Sequence, residues 1–358
     1  MTVPEAMCGL QLIGHGGPEK LVWNESIPVP APKPGEALVK VFAAGVNNTD
    51  INTRIGWYSK EVTGTTGEVD PTAEIKTGGW SGALRFPLIQ GGDLCGEVIE
   101  LGAGVTGISV GMRVTCPTNQ PEPTAENPCA MRVIGSEYDG AFAQFCCVPV
   151  DQLYDVSASP LSDVEIAAMP CAFGTAENLL DRAGVGKGMH ILVTGASGGV
   201  GLAAVQLAKL RAAEVTALAS PSKQAAVREA GAGTVLGRDA NLPAQSFDVV
   251  IDVVGGPGWG SAIDALRPGG RYAVSGAIAG PIVEADLRTI YLNDLTLYGC
   301  TYQSRQVFAG LVDLINAGRV RPLVSKTYTL AEIAAAQADF VAKTYPGKLV
   351  LIPPEVSS

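Results

Sequence analysis

The rhythm of hydrophobic and polar positions changes once along this chain. Through about residue 155, apolar residues come in short β-like runs separated by Gly and Pro: Ala37–Ala43 (ALVKVFA), Glu97–Leu101 (EVIEL), Arg113–Cys116 and Phe142–Val148. That spacing predicts an antiparallel or barrel-like β domain. Pro28, Pro30, Pro32 and Pro34 predict an extended surface connection. From about residue 160, apolar strands alternate with amphipathic helices: His190–Thr194 then Leu202–Leu210, Glu214–Leu218 then Ser222–Ala230, Phe247–Val254 then Gly258–Leu266. Further strands are expected at Gly270–Ser275 and Leu295–Gly299. Alternation of this kind, with continuously apolar strands, predicts an α/β fold with a parallel sheet covered on both faces. Val307, Leu311, Leu314 and Ile315 then fall on one helical face, with Gly318 as the expected cap. A last helix, Leu330–Lys343, and a short strand, Lys348–Ile352, complete the pattern. The polar stretch Lys60–Arg85 is too long for an ordinary connection and is expected to be a functional flap or an excursion.

Composition narrows the classes. A length of 358 residues suggests two domains. Hydrophobic residues at 47% and charged residues at 17% supply ample core material and exclude a disordered chain. A net charge of −10 without a Lys/Arg cluster argues against nucleic acid and membrane as partners. The start, Met1–Leu12, does not read as a signal peptide. The uncharged run Met189–Ala208 carries Gly195, Gly198, Gly199 and Gly201 in its middle, and so reads as strand, turn and helix instead of a membrane span. The eight cysteines have irregular spacing and no CxxC pair, which suggests buried or semi-buried free thiols in a reducing cytoplasm.

The strongest local signal is Val193-Thr194-Gly195-Ala196-Ser197-Gly198-Gly199-Val200-Gly201-Leu202. It follows an apolar strand and opens a helix, the context that a dinucleotide fingerprint requires. Glycines permit a tight turn and let backbone N–H groups approach a pyrophosphate, whose charge the helix N-terminus stabilises. The expected contacts are Gly195, Ser197, Gly198, Gly199, Val200 and Gly201. An Asp or Glu for the adenosine ribose is expected about 20 residues later, at the end of the second strand. None stands there; Ser220, Ser222 and Lys223 do, and Arg238 follows the next strand-like run. Hydroxyls and two cations suit a 2′-phosphate, so the expected cofactor is NADP(H). Strand ends at Gly255 and at Ser275-Gly276 are further expected contacts, since ligands lie beyond strand C-termini in such sheets.

These elements, in the order β-rich part, dinucleotide part and return, resemble the medium-chain dehydrogenase/reductase superfamily over essentially the whole chain. Within it the chain looks like the zinc-free quinone oxidoreductase (zeta-crystallin-like) branch. The matching stretches are Gly45-Val46-Asn47-Asn48-Thr49-Asp50, Arg54-x-Gly56-x-Tyr58, Gly91-Gly92-Asp93-Leu94-Cys95-Gly96-Glu97-Val98, Gly140-Ala141-Phe142-Ala143, Thr175-Ala176, Leu266-Arg267-Pro268-Gly269-Gly270 and Gly347-Lys348-Leu349-Val350. The resemblance implies a GroES-like β-rich catalytic domain over residues 1–155 and 305–358, and a Rossmann doubly wound domain over residues 156–304. It also implies association through a sheet edge at Leu295–Cys300, as a homodimer or homotetramer. The zinc enzymes of the superfamily hold their catalytic metal with Cys, His and Cys; the matching positions here are Asn47, Gly92 and Cys171, so two ligands are missing. With only His15 and His190 in the chain, no zinc is expected.

Without that Lewis acid, the expected chemistry is hydride transfer to an electron-poor quinone or α,β-unsaturated carbonyl. The resemblance places Asn47 near the acceptor oxygen, Tyr58 on the acceptor pocket and Thr175 near the nicotinamide. Asp93 orients a backbone turn or moves a proton, Asp50 and Arg54 form an i,i+4 pair, and the Lys60–Arg85 segment, bracketed by Trp57, Tyr58 and Trp80, folds over the acceptor. Alternatives are a medium-chain alcohol dehydrogenase of other specificity, or a catalytically idle NADPH-binding structural or regulatory protein.

Overall fold

The computed structural model describes residues 3–67, 78–80 and 82–356, so part of the Lys60–Arg85 segment lies outside the described residues. The chain divides into two compact units: Met1–Val62 with Val69–Cys171 and Ser304–Ser358, and Thr63–Glu68 with Ala172–Gln303.

The second unit is built on a parallel sheet. Its strands run in the order Thr234–Leu236, Glu214–Leu218, His190–Val193, Phe247–Asp252, Leu266–Val274, Thr296–Gly299. Every neighbouring pair is parallel. The chain starts in the middle at His190–Val193, builds outward to one side, then crosses to Phe247–Asp252 and builds outward to the other. The crevice beyond these two central strands is where the order reverses, the usual ligand position in such sheets. Leu192, Phe247, Val250, Trp259, Ile263, Leu266 and Tyr272 form one core cluster. The continuous apolar strands are therefore the buried ones, as their composition predicts.

The first unit is mostly antiparallel. Strand Glu36–Gly45 is its spine, pairing with Cys95–Leu101, Phe145–Pro149 and the last strand, Lys348–Ile352. A smaller sheet joins Leu21–Pro28, Ala6–Leu12 and Leu88–Ile89. Leu38, Val39, Val98, Val114, Phe142, Phe145, Leu349 and Leu351 fill the core. Inward positions thus come from both ends of the chain, and Lys348–Ile352 is tied to the spine by Val350 opposite Gly45 and Leu351 opposite Ala44.

Several local expectations shift. The helix Arg305–Asn316 closes on Ala317, with Gly318 one residue further on at φ +62°. The last helix opens as a 3-10 turn, Leu330–Glu332, set by reciprocal capping between Thr329 and Glu332. It is α-helical only over Ile333–Val341, and Lys343, at φ +53°, lies beyond it. All eight cysteines are unpaired thiols, but Cys129 is exposed, because it sits in a surface turn and not in a strand. Among the described residues no helix is long and apolar enough to cross a membrane.

The helix Arg305–Asn316 is anchored by Phe308, which is 1% exposed and packs edge-on against Tyr154 at 5.0 Å between ring centroids. Phe308→Ala is expected to lower unfolding free energy by about 3–5 kcal/mol through the cavity it leaves. Chemical denaturation reads this; a loss below about 1 kcal/mol would mean the site collapses freely or that the packing is not as described.

Candidate functional site

In the second unit the glycine loop joins strand His190–Val193 to helix Gly199–Leu210, whose N-cap is Gly198. Gly195 turns the chain at φ +56°, a left-handed conformation that side chains disfavour. Gly201 is needed for a different reason: a Cβ there would stand 2.3 Å from the Gly195 carbonyl oxygen. At Gly198 an added Cβ would meet nothing closer than that same oxygen at 3.5 Å. The fold thus demands Gly195 and Gly201, whereas Gly198 leaves open space at a helix N-terminus, where backbone N–H groups and the helix dipole favour an anion.

The facing loop is held by a buried carboxylate that local sequence patterns do not reveal. Asp252, 2% exposed, accepts hydrogen bonds from Thr194 Oγ1 at 2.5 Å, Val254 N at 2.7 Å and Gly255 N, and also from the Tyr272 hydroxyl. Thr194 begins the glycine loop and Gly255 ends the next strand connection, so one carboxylate fixes both lips of the crevice. Burial and the Asp252 charge push the Tyr272 hydroxyl far above the ordinary phenol range, which keeps it a donor. Ser275 and Gly276 follow the strand Leu266–Val274, and Ser275 N is bound to Asp252 O. Thr175 lies inside the helix Pro170–Arg182.

At the end of strand Glu214–Leu218, Ser220 caps a short 3-10 turn, Pro221–Lys223, with Ser222 exposed within it. Lys223 is half-buried; burial first, and then the charge of Arg238, hold its ammonium below the ordinary lysine range. Two cations that repel each other across a strand end, with hydroxyls beside them, have the donor chemistry of a phosphate site. The loop offers backbone donors suited to the pyrophosphate of a pyridine nucleotide, and the strand end offers two cations and hydroxyls.

In the first unit a second cluster forms where the last strand meets the spine. Continuing the antiparallel register from Val350 and Gly45 sets Lys348 opposite Asn47. The buried Lys348 ammonium donates to Asn47 Oδ1, to Val46 O at 3.0 Å and to Asp93 Oδ2 at 3.1 Å. Asp93, fully buried, also accepts from Cys171 N at 2.6 Å and Thr118 Oγ1 at 3.1 Å. It therefore orients backbone, one of the two roles expected of it. Gly45 lets Asp93 approach, since a Cβ there would stand 2.6 Å from Asp93 Oδ2. Asn47 is the N-cap of helix Asn48–Ile55, and its N–H donates to Asp50 Oδ2 at 2.8 Å. Burial pushes the Asp50 carboxyl up to about 7; Asp93 adds to this, while the Asn47 N–H and Lys348 oppose it. The expected Asp50–Arg54 pair does not form. Arg54 is drawn instead to Gly16 O and Gln337 Oε1, because tertiary partners satisfy a buried guanidinium better than one carboxylate a turn away.

This cluster does not fit a catalytic zinc. Gly92 brings no ligand atom, and a Cβ there would stand 2.6 Å from Thr118 Cγ2. Asn47 Oδ1 faces an ammonium. Burial, with the nearby Asp93 adding to it, pushes the Cys171 thiol up. His15 bonds Thr53 O and His190 bonds Thr216 Oγ1. Among the described residues no three His, Cys, Asp or Glu side chains are placed to hold a metal ion.

Tyr58 stands at the edge of the same unit. Its ring packs on Trp80 at 4.5 Å and Trp57 at 5.7 Å between centroids. Burial raises its hydroxyl well above the usual range, against hydrogen bonds from Thr49 and Asn52. Tyr58 and Trp80, with Ser59, Lys60 and Glu61, line a pocket of about 360 Å³. The structure thus brings Asn47 together with Lys348, Asp93, Asp50 and Cys171, and sets Tyr58 on an aromatic-walled pocket. Spacing alone signals neither Lys348 nor Asp252.

Comparison with known proteins agrees with this architecture. Residues 33–158 match the alcohol dehydrogenase GroES-like domain and residues 199–317 the zinc-binding dehydrogenase family. Acryloyl-coenzyme A reductase of Metallosphaera sedula is 30% identical, over 90% of this chain and 93% of that protein. Mouse quinone oxidoreductase is 27% identical over 98% and 99% of the two chains. A Sinorhizobium meliloti 1021 structure solved under an alcohol dehydrogenase description is 41% identical, covers 98% of each chain and superposes with a TM-score of 0.88.

The Asp50 environment makes a pH prediction. Its pKa of about 7 in the folded chain lies above the ordinary 3.8, so between these values the folded state holds a proton that the unfolded state releases. Stability must then fall as pH rises through that window, by up to about 1.4 kcal/mol per pH unit from this group, and level off above pH 7. Relative to wild type, Asp50→Asn is expected to lack that falling slope in denaturation series from pH 4 to 8. Parallel profiles would contradict the assignment.

Proposed function

Because the chain belongs to the medium-chain dehydrogenase/reductase superfamily, we propose that it is an NADPH-dependent reductase that delivers hydride to a quinone or an α,β-unsaturated carbonyl without a metal ion. The observation that carries this reading is the replacement at the ligand positions: a carboxamide held by a buried ammonium at Asn47, and no side chain at Gly92. An alcohol substrate needs a Lewis acid there, whereas an acceptor already electron-poor needs only a hydrogen-bond donor for the oxygen that gains charge. The similarity to an acryloyl-coenzyme A reductase and to a quinone oxidoreductase points the same way, since both names carry electron-poor acceptors.

NADPH, when bound, supplies the hydride. Gly195, Ser197, Gly198, Gly199, Val200 and Gly201 hold the pyrophosphate, with Gly255, Ser275, Gly276 and Thr175 as further contacts. Ser220, Ser222, Lys223 and Arg238 take the 2′-phosphate. Asn47 Nδ2 donates to the acceptor oxygen as the electron pair of the reduced double bond moves onto it. Tyr58 walls the acceptor pocket, and solvent returns the proton. We assign the acceptor side to the first unit and the dinucleotide side to the second, with the boundary at Cys171–Ala172 and not at the expected residues 155–156. Unpaired thiols suit a reducing compartment, which we take to be the cytoplasm.

Edge strand Thr296–Gly299 and the helix before it expose Leu287, Tyr291, Leu292 and Leu297. An apolar patch beside an open sheet edge suits a second copy of the chain, so the expected state is a homodimer or homotetramer. Light scattering on Leu292→Lys/Leu297→Lys should show the monomer; an unchanged assembly would place the contact elsewhere.

Nicotinamide absorbance across a panel of quinones, enones and alcohols tests the activity itself. NADPH oxidation with a quinone or enone, and no NADP⁺ reduction with alcohols, is expected; NADPH binding without any turnover would contradict it. Lys223→Ala/Arg238→Ala should raise the KM for NADPH by about 10–100-fold and leave that for NADH unchanged, as loss of charged hydrogen bonds requires. An unaltered NADPH/NADH preference would sink the 2′-phosphate assignment.

A further inference from the structure

We propose that Lys348 is a positioning residue for this reduction: its buried ammonium turns the Asn47 carboxamide so that the NH2 end, and not the oxygen, is presented to the acceptor. The inference rests on the reading of Asn47 as the acceptor's donor. The two ends of a carboxamide have nearly the same shape, so packing alone does not orient it. An ammonium has donors only and no acceptor. The amide atom facing Lys348 Nζ must therefore be oxygen, and Nδ2 is directed away from it. Nδ2 donates to the Gly45 carbonyl oxygen at 3.5 Å, the outer limit of a hydrogen bond, so an amide with two N–H groups keeps donor capacity to offer.

The sign of the interaction with the acceptor depends on this orientation. An oxygen end would repel the charge that gathers on the acceptor oxygen during reduction; an NH2 end stabilises it. The ammonium also polarises the amide, which strengthens its N–H as a donor. Nothing in the cluster lets the ammonium wander. Its other two bonds go to Val46 O and to Asp93, and Asp93 is pinned by Cys171 N and Thr118 Oγ1. Asn47 is 6% exposed and Lys348 3%, so water does not compete freely for these bonds.

Two readouts test the proposal. In NADPH-free protein labelled with 15N-asparagine, the Asn47 side-chain amide signals should shift and exchange faster in Lys348→Met. With NADPH and 1,4-naphthoquinone, Lys348→Met should lower kcat by about 100-fold, the usual loss for one misplaced donor, with the KM for NADPH nearly constant. In an Asn47→Ala background the same substitution should cost at most about 2-fold more, because residues acting as one unit are not additive. Lys348→Arg should recover part of the loss. If Lys348→Met does not fold, Lys348→Met/Asp93→Asn removes the orphaned carboxylate and allows the same comparison. Multiplying losses in the double variant, or unmoved Asn47 signals, would overturn the proposal. Impaired Asn47→Ala beside unimpaired Lys348→Met would overturn it alone. Wild-type turnover by Asn47→Ala would instead remove the reading of Asn47 as donor, and this proposal with it.

Discussion

The pairing of the last strand with the spine of the first unit is the constraint on which the buried Lys348 cluster depends. Val350 opposite Gly45 puts Lys348 opposite Asn47, and a lysine in that place is buried at once. A buried ammonium is tolerated only when its donors are satisfied and its charge is met. Asp93 meets the charge, and Asn47 and Val46 take the remaining bonds. From there the consequences spread. Asp93 fixes the backbone at Cys171, Gly45 stays without a side chain to admit Asp93, and the Asp50 carboxyl is left to be shielded mainly by backbone N–H groups. The cation of the cluster is covalently part of the chain, and this distinguishes the site from one that recruits a metal.

The dinucleotide unit solves a parallel problem with another buried carboxylate. Asp252 joins Thr194 on the glycine loop to the turn at Val254 and Gly255, so the two lips of the crevice are set by one side chain. The loop has divided its glycines by task. Gly195 and Gly201 satisfy backbone conformation and close packing, while Gly198 leaves room for a ligand. The helix N-terminus there and the Lys223–Arg238 pair at the next strand end offer positive potential at two points, a fit for a cofactor with phosphates at two places.

How much of this was legible in the sequence follows the range of each interaction. The parallel sheet, the glycine loop and the missing ribose acid are local, because period, turn chemistry and strand ends act over a few residues. The broken ligand set was legible too, since Gly92 cannot be a ligand in any fold. The Lys348–Asn47 bond spans 301 positions and the Thr194–Asp252 bond 58, and no spacing rule reaches so far. The Asp50–Arg54 pair shows the converse: helical spacing suggests it, but Gln337, 283 residues away, and Gly16 claim the guanidinium. Gly318, a local stop signal, does end its helix at φ +62° just past Ala317, whereas the last helix begins with the Thr329–Glu332 capping and stops at Val341, short of Lys343.

The decisive question is whether the fixed ammonium cluster, and not a metal, supports reduction. The most direct measurement is the metal content of purified, active protein, taken together with its NADPH-dependent turnover of a quinone before and after exhaustive chelation. Zinc far below one ion per chain and a rate unchanged by the chelator are expected. Stoichiometric zinc, or activity lost on chelation and restored by zinc, would contradict it.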